Sequence, residues 1–213
     1  MTLESIEAAI GRHSLTIYGT LHPDPATVPD KVQTLVLLGP REPGFWDHFT
    51  ASAEYLDGQP DPLDRWSERV ITALAASLGT QAFFPFGGPP YQPFIQWATE
   101  SGRAHVSPVG LLVHDTSGLW VSYRGALGLN ERLDLPTAPP NPCLSCSSQP
   151  CRRACPVDAL GPETYDVAAC KADLDRAGND CMTRGCATRR ACPVSQGYGR
   201  HEAQSAFHME AFK

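Results

Sequence analysis

The chain has 213 residues, of which 42% are hydrophobic, and its formal net charge at pH 7 is −6. This composition supports the packed core of one large domain, or of one medium and one small domain. The lack of a basic surplus argues against nucleic-acid binding, and no apolar run approaches the roughly 20 residues of a membrane span. The first residues show no basic segment followed by an apolar one, so we expect no signal peptide and a cytoplasmic location.

The first half of the chain predicts alternating helices and strands. Apolar residues recur at helical spacing over residues 3–12, and Thr2 precedes them as an N-cap. Residues 14–21 alternate weakly, which indicates a strand. The run TLVLLG at residues 34–39 is continuously apolar and predicts a strand buried on both faces.

A longer helix is predicted from residue 61, where Asp is a favourable N-cap and the following Pro a favourable first residue. Residues 81–86 then predict a strand and residues 93–101 a helix. Two apolar runs, 109–114 and 119–127, flank the sequence Asp-Thr-Ser-Gly and predict a β-hairpin.

These elements predict an α+β protein whose N-terminal part, residues 1–134, is an α/β sandwich, with a nitroreductase-like arrangement as one option. Residues 135–142 hold four prolines in eight positions and predict a semi-rigid linker. Residues 143–196 form a separate cysteine-rich module, and residues 197–213 predict a C-terminal helix.

All eight cysteines lie in that module, and two of them are followed directly by proline. The first run is C-x2-C-x4-C-x3-C-P, the second is C-x4-C-x5-C-P, and a lone cysteine stands between the runs. The cysteines are Cys143, Cys146, Cys151, Cys155, Cys170, Cys181, Cys186 and Cys192. Disulfides are rare in the cytosol, so this many cysteines favours metal ligation.

The first run is close to the ferredoxin pattern C-x2-C-x2-C-x3-C-P, in which the fourth cysteine binds the other of two clusters. Three closely spaced thiolates can wrap one cubane, while the next turn of chain carries the fourth away. A crossed arrangement would therefore give two [4Fe–4S] sites. One would use Cys143, Cys146, Cys151 and Cys192, and the other Cys155, Cys170, Cys181 and Cys186.

Three alternatives stay open from the spacing. Two structural zinc sites would also use eight cysteines, but zinc ribbons have paired C-x2-C knuckles, and only Cys143 and Cys146 form one. Disulfides would need an oxidising compartment. One cluster with four free thiols is the third alternative, because both runs carry insertions relative to the standard spacing.

At these residues the chain resembles the iron–sulfur domain of epoxyqueuosine reductase and its relatives, the corrinoid-dependent reductive dehalogenases. That family has a ferredoxin run, a lone cysteine and a final C-x2-C-x3-C-P. The chain departs from it by two extra residues after Cys146, two after Cys181 and two before Cys192. The resemblance extends upstream through residues 110–125, which are similar to the segment preceding the family's cluster domain.

The resemblance implies electron transfer through two [4Fe–4S] clusters to or from a redox partner protein. Its alternative implication is an enzyme, a corrinoid- or flavin-dependent reductase fed by the clusters, so cobalamin or flavin is a candidate cofactor.

Glycines, aromatic rings and an arginine offer a cofactor pocket in the N-terminal part. The candidate residues are Phe86, Gly87, Gly88, Tyr91, Gln92, Tyr123 and Arg124. An ordinary turn and a structural arginine would give the same pattern.

Overall fold

The computed structural model describes residues 1–213, the whole chain. The strands are β1 (Leu15–Leu21), β2 (Thr34–Pro40), β3 (Gln81–Phe83), β4 (Ala104–Val106), β5 (Leu112–His114) and β6 (Gly125–Leu129). The helices are α1 (Leu3–Gly11), α2 (Phe45–Thr50), α3 (Ala53–Leu56), α4 (Pro62–Leu78), α5 (Phe94–Glu100), α6 (Val167–Leu174), α7 (Cys181–Arg184), α8 (Ala187–Ala191), α9 (Pro193–Gly197) and α10 (Glu202–Phe212). Short 3-10 helices lie at Pro25–Thr27, Pro142–Leu144 and Pro150–Arg153.

The chain divides into two units. Unit 1 comprises Met1–Arg103 and Ser122–Ala138, and unit 2 comprises Ala104–Val121 and Pro139–Lys213. None of the helices has both the length and the apolar composition that crossing a membrane requires.

Unit 1 is built on an antiparallel four-stranded sheet with the strand order β1-β2-β6-β3. All seven residues of β2 are buried, as its unbroken apolar sequence predicts. Helix α4 packs against β3 and β6 through an apolar face that includes Trp66, Val70 and Ile71. Thr2 caps α1 in a capping box with Ser5, which confirms the predicted helix start.

Unit 2 contains a two-stranded ladder and five short helices. Strands β4 and β5 pair antiparallel, with Ala104 opposite His114. Helix α10 packs against α7, and α8 packs against α9 and the 3-10 helix Pro150–Arg153. The α+β class is therefore confirmed, including the C-terminal helix, while the sandwich arrangement of the N-terminal part stays a prediction.

The predicted hairpin of residues 109–114 and 119–127 is wrong. Strand β5 pairs with β4 in unit 2, whereas β6 pairs with β2 and β3 in unit 1. A bridge between His114 and Gly118 closes a tight turn there, and residues 119–124 form no strand. Residues 104–121 thus belong with the cysteine-rich unit, which differs from the predicted domain boundaries.

Two other local predictions differ in detail. The strand predicted at residues 81–86 ends at Phe83. Asp61 precedes α4 with a φ of 51° and makes no side-chain capping bond. The helix nevertheless begins at Pro62, because proline's fixed φ suits the first helical position.

A substitution in the sheet tests the close packing of unit 1. A Cβ added at Gly39 would lie 2.4 Å from the ring of Tyr18, which is almost fully buried and cannot move aside. We expect Gly39→Ala to lower the free energy of unfolding by about 1–3 kcal/mol, the usual range for overpacking. The matched control is Gly197→Ala in helix α9, where a Cβ meets nothing within 4 Å and should stabilise slightly. Urea unfolding followed by circular dichroism measures both, and equal effects would contradict the prediction.

Candidate metal centre

The eight cysteines all lie in unit 2, and all are free thiols. They sit mainly at the starts and ends of short helical segments, where the chain changes direction. Cys143 and Cys151 lie in 3-10 helices, and Cys170 lies within α6. Cys181 begins α7, and Cys192 stands between α8 and α9, where Pro193 is the first helical residue.

One set of four cysteines surrounds a single cavity. Cys143, Cys146, Cys151 and Cys192 line a cavity of about 310 Å³. The pKa of the Cys143 thiol is raised, first by burial and then by the charges of the other three cysteines of this set. We call these four residues the first thiol group. Its last member comes from the second cysteine run.

The other four cysteines are Cys170 and the three whose charges act on it. The pKa of the Cys170 thiol is raised by burial first, lowered in part by a hydrogen bond from Tyr165, and raised further by Cys186, Cys155 and Cys181. We call these four cysteines the second thiol group. The cysteines that act on the pKa values of Cys143 and Cys170 thus fall into the two sets of the crossed pattern, whereas the assignment of these sets as cluster ligands stays a prediction.

Apolar residues of the segment Ala104–Val121 pack as a wall beside the first thiol group. Val109, Val113 and Leu119 are buried in one cluster with Cys151 and Cys192. Sequence reasoning missed these residues as part of the site because it assigned them to a different domain. The signal that could have found them is the apolar run at residues 109–113, together with the upstream extent of the resemblance.

Two hydrogen bonds hold this wall in place. The backbone N–H of Leu119 donates to Ser195 Oγ at 2.8 Å, and the Leu119 carbonyl accepts from Arg189 Nη1. Gly118 permits the approach, since its φ is +58° and a Cβ there would lie 2.5 Å from the backbone nitrogen of Ser195. Ser195 and Arg189 flank Cys192, so these bonds position the fourth member of the first thiol group.

Burial makes the thiolate form of several cysteines unfavourable in the metal-free protein. The pKa values of Cys143, Cys151 and Cys181 are raised, and burial is the largest cause for each. Mutual repulsion between thiolates adds to this effect. A bound cationic metal or cluster would offset that repulsion, and its binding would release protons.

The second thiol group has more polar neighbours. The backbone N–H of Ala159 donates to Cys155 Sγ at 3.3 Å, and the Tyr165 hydroxyl donates to Cys170 Sγ at 3.8 Å. A backbone N–H at Ala187 bonds to Cys181 and lowers its pKa in part. The charge of the Cys186 thiolate interacts favourably with the Arg189 guanidinium.

No three or more His, Cys, Asp or Glu side chains in the chain are placed to hold a single metal ion. A four-iron cluster makes a different demand, because its own irons and sulfides stand between the thiolates. It takes four cysteines around a larger space. The first thiol group meets that requirement in its donor set and in having a cavity between its members.

The predicted cofactor pocket of the N-terminal part lies in unit 1. Gly87 has a φ of +83° in a turn, Phe86 packs against Phe84, and Tyr91 is 66% exposed. Gly88 and Gln92 belong to the same turn region between β3 and α5.

The remaining two pocket candidates are engaged in packing. The Tyr123 ring meets the Tyr18 ring edge-on at 5.8 Å. Arg124 Nη1 lies 3.3 Å from Asp64 Oδ1, and burial lowers the pKa of the guanidinium while raising that of the carboxyl. Binding of cobalamin or flavin at these residues stays a prediction.

The close approach of Gly118 to Ser195 can be tested separately from backbone strain. Gly118 and Gly178 both have positive φ, but a Cβ at Gly178 would meet nothing within 4 Å. Alanine at either position should cost about 1 kcal/mol through strain, and Gly118→Ala should cost about 1–3 kcal/mol more because of the clash. Denaturant unfolding of the two variants measures the difference. Equal destabilisation would show that the contact is not tight.

No protein-family model, no curated protein and no solved structure matches the chain.

Proposed function

We propose that the chain is an iron–sulfur electron-transfer protein, in which unit 2 contains a ferredoxin-like module with two [4Fe–4S] clusters. The observation that carries the proposal is the sorting of eight free thiols into two groups of four, each drawing on both cysteine runs. The first thiol group would hold one cluster and the second thiol group the other. Bound clusters would supply one-electron redox chemistry.

The donor set supports iron–sulfur ligation. Four cysteine thiolates are the standard ligands of a four-iron cluster, and each group supplies four with none left over. The apolar wall formed by Val109, Val113 and Leu119 would shield the first cluster from water. The backbone N–H groups that bond to Cys155, Cys151 and Cys181 are the usual partners of cluster sulfurs.

The role of a carrier needs only the thiol groups and a redox partner protein. A corrinoid- or flavin-dependent reductase would need a second cofactor site as well. Two residues of the predicted pocket, Tyr123 and Arg124, are engaged in packing and ion pairing within unit 1. The contacts therefore favour the carrier over the reductase.

Metal content distinguishes the proposal from its alternatives. Protein purified without oxygen should be brown and contain about eight irons and eight acid-labile sulfides per chain, the amount that two four-iron clusters require. About four irons would support the single-cluster alternative. Zinc without iron, or intact disulfides after oxygen-free purification, would refute the proposal.

Serine substitutions test the crossed ligation. Cys186 and Cys192 are neighbours in the second run but belong to different thiol groups. We expect Cys192→Ser to alter the same electron paramagnetic resonance signal as Cys143→Ser, because both remove a ligand of the first cluster. Cys186→Ser should alter the other signal, together with Cys155→Ser.

The paired design supplies its own control, since each variant makes the same chemical change at a nearby position. An uncrossed arrangement would instead group Cys155→Ser with Cys143→Ser and Cys186→Ser with Cys192→Ser. Iron content of each variant shows whether one site or both are lost.

A further inference from the structure

The two thiol groups differ in the chemistry of their surroundings, and the inference drawn from this difference rests on the proposed function. The cavity of the first thiol group is lined by apolar side chains, among them Val113, Leu119 and Val194, and by Gln149 and the serines at 107, 145, 147 and 148. The hydrogen-bond donors to the Cys151 sulfur there are backbone N–H groups.

Side-chain donors and cations lie beside the second thiol group instead. The Tyr165 hydroxyl donates to Cys170 Sγ at 3.8 Å. The buried Arg189 guanidinium interacts with Cys186. Arg190 is paired with Asp180, and their charges act in opposite directions on Cys181.

Both side chains are fixed in position by contacts of their own. The ring of Tyr165 stacks on Phe212 of α10 with 6.1 Å between centroids, and Lys171 Nζ lies over the same Phe212 ring at 5.3 Å. Arg189 donates to the Leu119 carbonyl. Because these contacts orient the hydroxyl and the guanidinium in advance, neither must reorganise when charge arrives.

An electron added to a thiolate-ligated cluster increases its negative charge. Hydrogen bonds to the sulfurs and nearby positive charge stabilise the more negative state, and an apolar environment disfavours it. The two groups should therefore differ in how readily their clusters are reduced, and the difference has a defined sign.

We propose that Tyr165 and Arg189 make the second thiol group the site of the more easily reduced cluster. An electron that enters the module would then reduce that cluster in preference to the other. One electron passes from an external one-electron donor to the cluster, and no covalent bond forms or breaks. Tyr165 and Arg189 act as positioning residues that tune the cluster without binding it.

Potentiometric titration with dithionite, followed by electron paramagnetic resonance, tests this assignment. The signal lost in Cys170→Ser should be the first to appear on reduction of the wild-type protein. In Tyr165→Phe, which keeps the ring that stacks on Phe212, that signal should move to lower potential while the other stays. The expected change is about fivefold in the ratio of reduced to oxidised cluster at a fixed potential, the effect of losing one hydrogen bond.

Arg189→Gln should shift the same signal in the same direction, because it removes the charge. Since Arg189 also donates to the Leu119 carbonyl beside the first thiol group, the iron content of this variant must show that both clusters are still bound. Arg189→Lys keeps the positive charge, so its second signal should appear at nearly the wild-type potential. Two controls make the same chemical changes at exposed positions of unit 1, Arg132→Gln and Tyr91→Phe. Neither should move either signal.

Several outcomes would overturn the inference. They are an unmoved second signal in Tyr165→Phe, an equal shift of both signals, or reduction of the first cluster ahead of the second. Each of these requires a protein that binds two clusters, so the proposed function would survive. A wild-type chain that takes up no iron would overturn the proposed function and the inference together.

Discussion

The backbone of Leu119 is held on both sides, and the cysteine-rich unit depends on that attachment. Its N–H donates to Ser195 and its carbonyl accepts from Arg189, residues that stand on either side of Cys192. These bonds tie the segment Ala104–Val121 to the end of the second cysteine run. Without them, the wall beside Cys151 and Cys192 would have no fixed position, and the fourth thiol of the first group would lose its anchor.

The elements that the sequence predicts well are those whose pattern is complete within one segment. Strand β2 and helix α4 are examples, because continuous burial and helical spacing are local properties. The hairpin prediction failed because an apolar run indicates a strand but does not determine which other strand it pairs with. Strand β6 lies between β2 and β3, a choice made by packing in the sheet and not by the adjacent turn.

In the candidate site, too, the features that follow from a local pattern are predictable and those that depend on distant partners are not. Spacing and the proline after Cys155 predict the crossed grouping of the cysteines, since those features describe how far the chain can turn between ligands. Tyr165, Ser195 and Leu119 were not predictable, because each acts through a partner distant in sequence or through a single atom. A tyrosine five residues before a cysteine carries no signal until the fold places its hydroxyl near the sulfur.

The crossing of the two runs has a consequence for the order in which the module is made. A chain that ends between Cys186 and Cys192 contains every member of the second thiol group but only three members of the first. During synthesis from the N-terminus, the second group is therefore complete before the first. Until Cys192 emerges, the nearest fourth thiol for Cys143, Cys146 and Cys151 along the chain is Cys155, which belongs to the other group. If the chain binds clusters as proposed, a cluster inserted before Cys192 emerges would find only three ligands of the first thiol group, so loading would favour a finished chain.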